Sequence, residues 1–154
     1  SRNAIGVAIT RNGGSAAEAQ HSAAELQGRL RRARAALPAQ ALTTNTSVLT
    51  AVGNDYGFAE VFARQVEGLV EPGDIVVGIT TSGASANVLR GLRAARKRGA
   101  HTVALTGSST RKIKPLADLL LDVPSRDTQR IQEVHSTLGH IYCDLIERHL
   151  FGKS

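Results

Sequence analysis

The sequence predicts a three-layer α/β fold in which helices cover both faces of a five-stranded parallel sheet. Five short apolar runs alternate with helical patterns along the 154 residues, which favours parallel strands joined by right-handed crossovers. Aromatic residues make up only 3% of the chain, so the core must be aliphatic. Aliphatic runs are typical of strands buried on both faces. We expect a single domain over residues 1–154.

The first half of the chain begins with a strand and a long helix. Pro38 is expected to end that helix, since proline cannot continue one. The elements expected up to the first central strand are a strand at 4–10, a helix at 15–36, a strand at 40–44, a short helix from 46 and an amphipathic helix at 58–69.

The second half starts from the clearest strand, a continuous apolar run at 75–80 that follows a Pro-Gly turn. The later elements are expected to be a helix at 86–98, strands at 101–107 and 119–124, and a helix at 128–150. The last helix is expected to carry one apolar stripe, formed by Ile131, Val134, Leu138, Ile141, Leu145 and Ile146.

The net charge of +6 raises the question of nucleic-acid binding. Base-stacking aromatics do not accompany the basic clusters, however, so an anionic small-molecule substrate is the better explanation. The sequence contains no apolar run of about 20 residues, as a membrane helix would need. The single cysteine, Cys143, fits a reducing compartment, and we expect a cytoplasmic protein.

Small polar residues follow the first three predicted strands, at the sheet edge where α/β proteins bind ligands. The third of these loops, TTSGAS at residues 80–85, offers hydroxyl groups and a helix N-terminus to a phosphate. It lacks the lysine of a P-loop, so a monophosphate is the better guess. The alternative is that Ser85 is only a helix N-cap.

His21 and Glu25 share one face of the first helix because they are four residues apart. With His140 and Gln132 of the last helix, they would form either a metal site or a general acid–base set. The alternative is an exposed pair that only stabilises its helix. We assign structural positions to His101, His135 and His149.

Four ordered stretches cover residues 12–26, 41–58, 78–89 and 124–147. Together they resemble the sedoheptulose 7-phosphate isomerases, or phosphoheptose isomerases, of the sugar isomerase (SIS) superfamily. The resemblance implies a SIS domain with a flavodoxin-like sheet. It also implies a helical segment before the first strand, which this sequence does not include, and a homotetramer with active sites at subunit interfaces.

The resemblance further implies roles for particular residues. Glu25 and His140 would be the catalytic pair, and zinc would be bound by His21, Glu25, Gln132 and His140. The implied substrate-binding residues are Asn12, Gly13, Gly14, Ser15, Glu25, Asn54, Asp55, Thr80, Thr81, Ser82, Ser85 and Gln132. Thr80 stands where relatives more often have serine, and it keeps the hydroxyl group.

The implied reaction interconverts sedoheptulose 7-phosphate and glycero-manno-heptose 7-phosphate, which leads to nucleotide-activated heptoses for bacterial surface glycans such as lipopolysaccharide. The partners implied are this phosphorylated sugar and further copies of the chain, without nucleic acid or membrane. The alternatives are a different phosphosugar, or a non-catalytic SIS protein that senses sugar phosphates or accompanies a replication initiator. Arg11 departs from the family, which usually has glycine there; its side chain would either attract phosphate or crowd the loop.

Overall fold

A parallel five-stranded sheet forms the centre of the computed structural model, which describes residues 6–152. Its strands are β1 (Val7–Thr10), β2 (Ala39–Ala41), β3 (Ile75–Thr80), β4 (His101–Thr106) and β5 (Leu119–Asp122). They pair in the order β2-β1-β3-β4-β5, and every pair is parallel. The strand order therefore reverses between β1 and β3. At such a switch point, doubly wound folds form a crevice that binds ligands.

Helices cover both faces of the sheet, which confirms the predicted fold class. They are α1 (Ala16–Gln27), α2 (Thr46–Tyr56), α3 (Val61–Leu69), α4 (Ala86–Lys97) and α5 (Thr128–Phe151). Helices α2, α3 and α4 share one apolar cluster with the sheet, whereas α1 and α5 share the other. Short 3₁₀ turns lie at Gly13–Ser15, Phe58–Glu60 and Lys114–Leu116.

The central strand β3 follows the sequence prediction at both ends, and α4 packs closely on it. A Cβ atom built on Gly78 would lie 2.8 Å from Leu92 Cδ1, closer than atoms in contact can approach. Glycine at this position therefore allows the helix to approach the sheet. Strands β4 and β5 end one and two residues before their predicted ends, a difference typical of strand boundaries.

The first helix is shorter than predicted, because it ends at Gln27 rather than at residue 36. The following segment needs no helical hydrogen bonds, since the buried Glu147 carboxylate accepts the backbone N–H groups of Leu30, Arg31 and Arg32. The Arg34 guanidinium donates to carbonyl groups at the end of α1. Contacts from α5, which the local pattern does not reveal, end the helix.

The second strand is also shorter than predicted, since residues 42–44 form a turn. Residues 4 and 5 of the first predicted strand lie outside the described residues, and residues 7–10 of it are confirmed. The predicted amphipathic helix at 58–69 is confirmed as a 3₁₀ turn that continues into α3.

The apolar stripe of the last helix is only half buried. Ile131 is buried, and Leu138 and Ile146 pack against the core, whereas Val134, Ile141 and Leu145 are 41%, 47% and 58% exposed. The side chains that α5 buries recur every four residues: Ile131, His135, Gly139, Cys143 and Glu147. A stripe chosen by apolarity alone does not identify this buried face, because two of its five residues, His135 and Glu147, are polar and have buried partners.

Among the described residues, none of the helices has the length and apolarity needed to cross a bilayer.

Candidate functional site

Two glycine- and serine-rich loops meet at the switch point of the sheet. The loop after β1 begins at Asn12, and Asn87 lies in the first turn of α4. Their side-chain amides exchange two hydrogen bonds, 2.7 and 2.8 Å long. This pair ties the first loop to the third loop, as expected for neighbouring parallel strands.

The loop at 80–85 is organised by its own hydroxyl groups. Thr80 Oγ1 lies 2.7 Å from Ser85 Oγ and 3.3 Å from Ser82 Oγ. Ser85 occupies the N-cap position of α4, but its side chain makes no capping hydrogen bond. The Ser85 hydroxyl therefore contacts Thr80 and does not cap α4.

Gly83 fixes the shape of this loop. Its φ of +64° is a left-handed conformation, and a Cβ atom there would lie 1.8 Å from the carbonyl oxygen of Ser109. Only glycine permits this contact between the loops that follow β3 and β4.

His21, Glu25 and His140 come together on α1 and α5, although 119 residues separate His21 from His140. The two histidine Nε2 atoms are 3.0 Å apart, and His21 Nε2 lies 3.3 Å from Glu25 Oε1. The ligand atoms of all three side chains lie within 4.8 Å of one another. The structure therefore brings together the histidine–glutamate group that the sequence predicted.

The helices that carry this cluster approach each other at Gly139. A Cβ atom on Gly139 would lie 3.3 Å from Ser22 Oγ, tighter than ordinary contact. The small residue lets α5 come near α1 at the level of the cluster.

A cavity of about 190 Å³ lies beside the cluster, and Arg11, Glu18 and His135 are among the side chains that line it. A larger cavity of about 520 Å³ lies at the amino ends of β1 and β2, near Val7 and Ala39. None of the predicted site residues lines that cavity. We place the candidate site at the smaller cavity because the titratable groups converge there.

Arg11 is turned into the protein and is only 2% exposed. It forms an ion pair with Glu18, and its Nη2 lies 3.4 Å from His135 Nδ1. Burial lowers the Arg11 pKa, while Glu18 opposes this shift. The guanidinium is thus paired with Glu18 inside the cavity wall and is not free to attract an anion.

His135 has the most perturbed imidazole of the described residues. Burial and the charge of Arg11 lower its pKa while a contact with the Thr106 carbonyl oxygen raises it, and the net pKa is about 4. The ring is therefore neutral at physiological pH. On the same cavity, burial raises the pKa of Tyr142 to about 12, so its hydroxyl keeps its proton.

Three predicted site residues lie apart from the cluster or are engaged elsewhere. Gln132 Nε2 donates to Ser15 Oγ, 2.9 Å away, and so joins α5 to the first loop. Asn54 and Asp55 lie exposed on the last turn of α2, where the Asn54 amide donates to the Asp55 carboxylate at 2.8 Å. Helix α2 belongs to the layer opposite α1 and α5.

Sequence reasoning missed the Arg11–Glu18–His135 group. It treated His135 as a residue of an ordinary helix face, but the ring is buried and contacts two other elements. The four-residue recurrence of Ile131, His135 and Gly139 was the available signal, and a search for apolar residues alone passes over it.

Comparison with known proteins identifies the family. The chain matches the SIS domain over residues 7–107. It is 57% identical over 143 residues to the phosphoheptose isomerase of Aquifex aeolicus, an alignment that covers 93% of this chain and 75% of the relative. The identity with the Geobacter sulfurreducens phosphoheptose isomerase is 59% over 140 residues, which is 91% of this chain and 74% of the relative.

The chain belongs to the phosphoheptose isomerase family.

Solved structures of family members agree with this assignment. The phosphoheptose isomerase of Neisseria gonorrhoeae superimposes with a TM-score of 0.86 at 50% identity, covering 93% of this chain and 76% of that one. The Francisella tularensis phosphoheptose isomerase gives a TM-score of 0.89 at 39% identity, covering 94% and 77%. Membership of the family confirms the resemblance inferred from the four sequence stretches.

Proposed function

We propose that this chain is an aldose–ketose isomerase that interconverts sedoheptulose 7-phosphate and glycero-manno-heptose 7-phosphate, an early step toward nucleotide-activated heptoses for surface glycans. The observation that carries the proposal is the His21–Glu25–His140 cluster, which lines a cavity together with Arg11 and Ile79 near the carboxyl ends of β1 and β3. The family relationship supports the substrate class.

The proposed phosphate site is the loop at 80–85. Thr80, Thr81, Ser82 and Ser85 supply hydroxyl donors, and the N-terminus of α4 adds backbone N–H groups and a favourable dipole. The loop from Asn12 to Ser15, tied to α4 through Asn87, would hold the sugar.

The proposed chemistry moves a proton between C1 and C2 of the sugar. Glu25, which is largely shielded from solvent, would remove the proton from one carbon and return it to the other. His140 would donate to and accept from the substrate oxygens as the enediol forms and collapses. Gln132, held by Ser15, would orient the substrate between the loop and α5.

The cluster also fits a zinc ion. Two imidazole nitrogens and a carboxylate oxygen are a typical zinc donor set, and the three ligand atoms lie within 4.8 Å of one another. The residues that would hold the ion are His21, Glu25 and His140, with Gln132 as the fourth ligand that the family resemblance implies. Bound zinc would polarise the substrate carbonyl.

We also propose a homo-oligomer, a tetramer by family resemblance, in which a neighbouring copy completes the site. Asn54 and Asp55 lie in the layer opposite the cluster, so a partner subunit is the straightforward way to bring them to a sugar. The exposed apolar side chains of α5 support an interface there. The single free, buried Cys143 supports a cytoplasmic location.

An isomerase assay of the purified chain on sedoheptulose 7-phosphate tests this function. We expect Glu25→Gln and His140→Ala to lower kcat by at least about a hundredfold, since each removes a proton-transfer group. His149→Ala is the matched control, because His149 is exposed near the end of α5 and should leave kcat unchanged. Wild-type turnover in either site variant would contradict the assigned roles.

The same assay includes a metal arm. If zinc supports the reaction, a chelator should lower turnover, added zinc should restore it, and His21→Ala should lower the zinc content of the purified protein. Absence of turnover in every condition would favour the non-catalytic sugar-phosphate-binding alternative.

A further inference from the structure

A second hydroxyl-rich cleft, of about 220 Å³, lies beyond the phosphate loop at the carboxyl ends of β3, β4 and β5. Its side chains come from three separate loops. Together with Thr128 at the start of α5, the residues that line it are Thr81, Ser82, Ser108, Ser109, Ser125 and Arg126. Thr81 and Ser82 also belong to the proposed phosphate loop, so the two sites share a wall.

The walls of this cleft are joined by backbone hydrogen bonds. Gly107 N donates to the Thr81 carbonyl oxygen at 3.2 Å, and Ser108 N donates to the Ser125 carbonyl oxygen at 3.0 Å. The close approach of Gly83 to Ser109 adds a third contact between the loops. The hydroxyl groups are therefore carried on a fixed frame.

The cleft lining carries hydroxyl groups and one cation, without a carboxylate. Ser125 Oγ accepts a hydrogen bond from Asp127 N, which leaves its own proton free to donate. The neighbouring carboxylate of Asp127 caps α5 by accepting from Gln129 N and Arg130 N. These donors suit a phosphate, whose oxygens accept several hydrogen bonds at once.

Arg126 supplies the charge of this cleft. It is exposed at the rim, and within residues 6–152 no carboxylate forms an ion pair with it. By contrast, Arg130 on the first turn of α5 is paired with Glu133 at 2.7 Å. A guanidinium can bind a phosphate through two parallel N–H donors, as an ammonium cannot.

We propose that Arg126 is a specificity-determining residue that binds the phosphate of the sugar phosphate from the side of the β4 and α5 loops. The inference rests on the proposed function, in that it deepens the phosphate site that Thr81 and Ser82 share with the loop at 80–85. Arg126 adds the positive charge that the hydroxyl groups of that loop lack. Its effect is on substrate binding and not on proton transfer.

The test compares Arg126→Ala, Arg126→Lys and Arg130→Ala. We expect Arg126→Ala to raise KM for the sugar phosphate, and Ki for inorganic phosphate as a competitive inhibitor, by about five- to tenfold, while kcat stays within twofold. Arg126→Lys should recover part of the loss. Arg130→Ala, the matched control on the same helix, should change neither constant.

Calorimetric titration with inorganic phosphate separates this inference from the proposed function. If the wild-type chain binds phosphate but turns over no heptose phosphate, a weaker affinity in Arg126→Ala supports the role of Arg126 and counts against the isomerase. An Arg126→Ala variant with KM, Ki and phosphate affinity within twofold of wild type would overturn the inference. A change in KM without a change in phosphate affinity would also overturn it, since the contact would then be to the sugar.

Discussion

At the scale of single residues, Arg11 shows how a departure from a family pattern is accommodated. Members of the family usually have glycine at this position. A cationic side chain there was expected either to attract phosphate or to crowd the loop. The structure instead places its guanidinium between Glu18 and His135, behind the His21–Glu25–His140 cluster. Glu18 supplies the counter-charge of the buried guanidinium, and His135 Nδ1 lies 3.4 Å from Arg11 Nη2.

The buried imidazole of His135 should make the protein less stable in mild acid. Its pKa is about 4 in the folded protein and 6.5 as a free side chain, because burial disfavours the charged ring. Between these values the unfolded chain binds the additional proton, so the free energy of unfolding falls as the pH falls. We expect this side chain alone to remove about 2 kcal/mol between pH 7.5 and pH 5.

Urea unfolding at both pH values measures this effect. His135→Gln should be less stable than wild type at pH 7.5 but should lose about 2 kcal/mol less on acidification. His101→Gln, at an exposed position, should keep the wild-type pH dependence. Equal pH dependence in wild type and His135→Gln would show that the ring titrates alike in both states.

At the scale of elements, the site depends on how α1 and α5 are held together. Glu147 of α5 is 1% exposed, and it accepts from three backbone N–H groups and from Arg34 after α1. Burial acts to raise the Glu147 pKa, but these donors outweigh it and hold the pKa below its usual value. The contact fixes the segment that follows α1, whose last residue, Gln27, lies two residues beyond Glu25.

We expect Glu147→Gln to lower the free energy of unfolding by about 3 kcal/mol, because it leaves the buried Arg34 guanidinium without its counter-charge. Urea unfolding measures the loss. Asp144→Asn is the control on the same helix; its partners, Arg31 and Arg148, are more than half exposed, so the loss should stay below about 1 kcal/mol. Equal losses in the two variants would contradict the role of the buried pair.

At the scale of the whole molecule, α5 exposes apolar side chains along one face. Ile141 and Leu145 lie four residues apart on this face and are about half exposed. Exposed apolar side chains that lie next to one another on one helix are typical of a protein–protein interface. The proposal of a homo-oligomer with shared active sites follows from this face and from the position of Asn54 and Asp55.

Light scattering after size-exclusion chromatography tests the oligomer. We expect the wild-type mass to be a multiple of 16.2 kDa, and the double variant Ile141→Asp with Leu145→Asp to elute as a monomer with reduced activity, since a buried aspartate is costly. Leu119→Asp, at an exposed apolar position on β5, should keep the wild-type mass. A double variant that keeps the wild-type mass would place the interface elsewhere.

The local pattern of residues predicted most of the fold. Strand β3 was correct at both ends because six apolar or small residues between a Pro-Gly turn and a hydroxyl-rich loop allow few other conformations. The pairing of His21 with Glu25 also followed from helix geometry, since residues four apart share a face. Helix α1 was predicted too long because the donors and acceptors that end it belong to Arg34 and Glu147.

By itself, then, the sequence determined the order of strands and helices, the edge of the sheet that carries the site, and the histidine–glutamate face of α1. These depend on periodicity and on short turns, which neighbouring residues set. Only the tertiary structure decided that Arg11 turns inward to His135 across 124 residues of chain, and that α5 buries polar as well as apolar side chains. Burial and long-range partners are properties of the packed chain, and no local pattern encodes them.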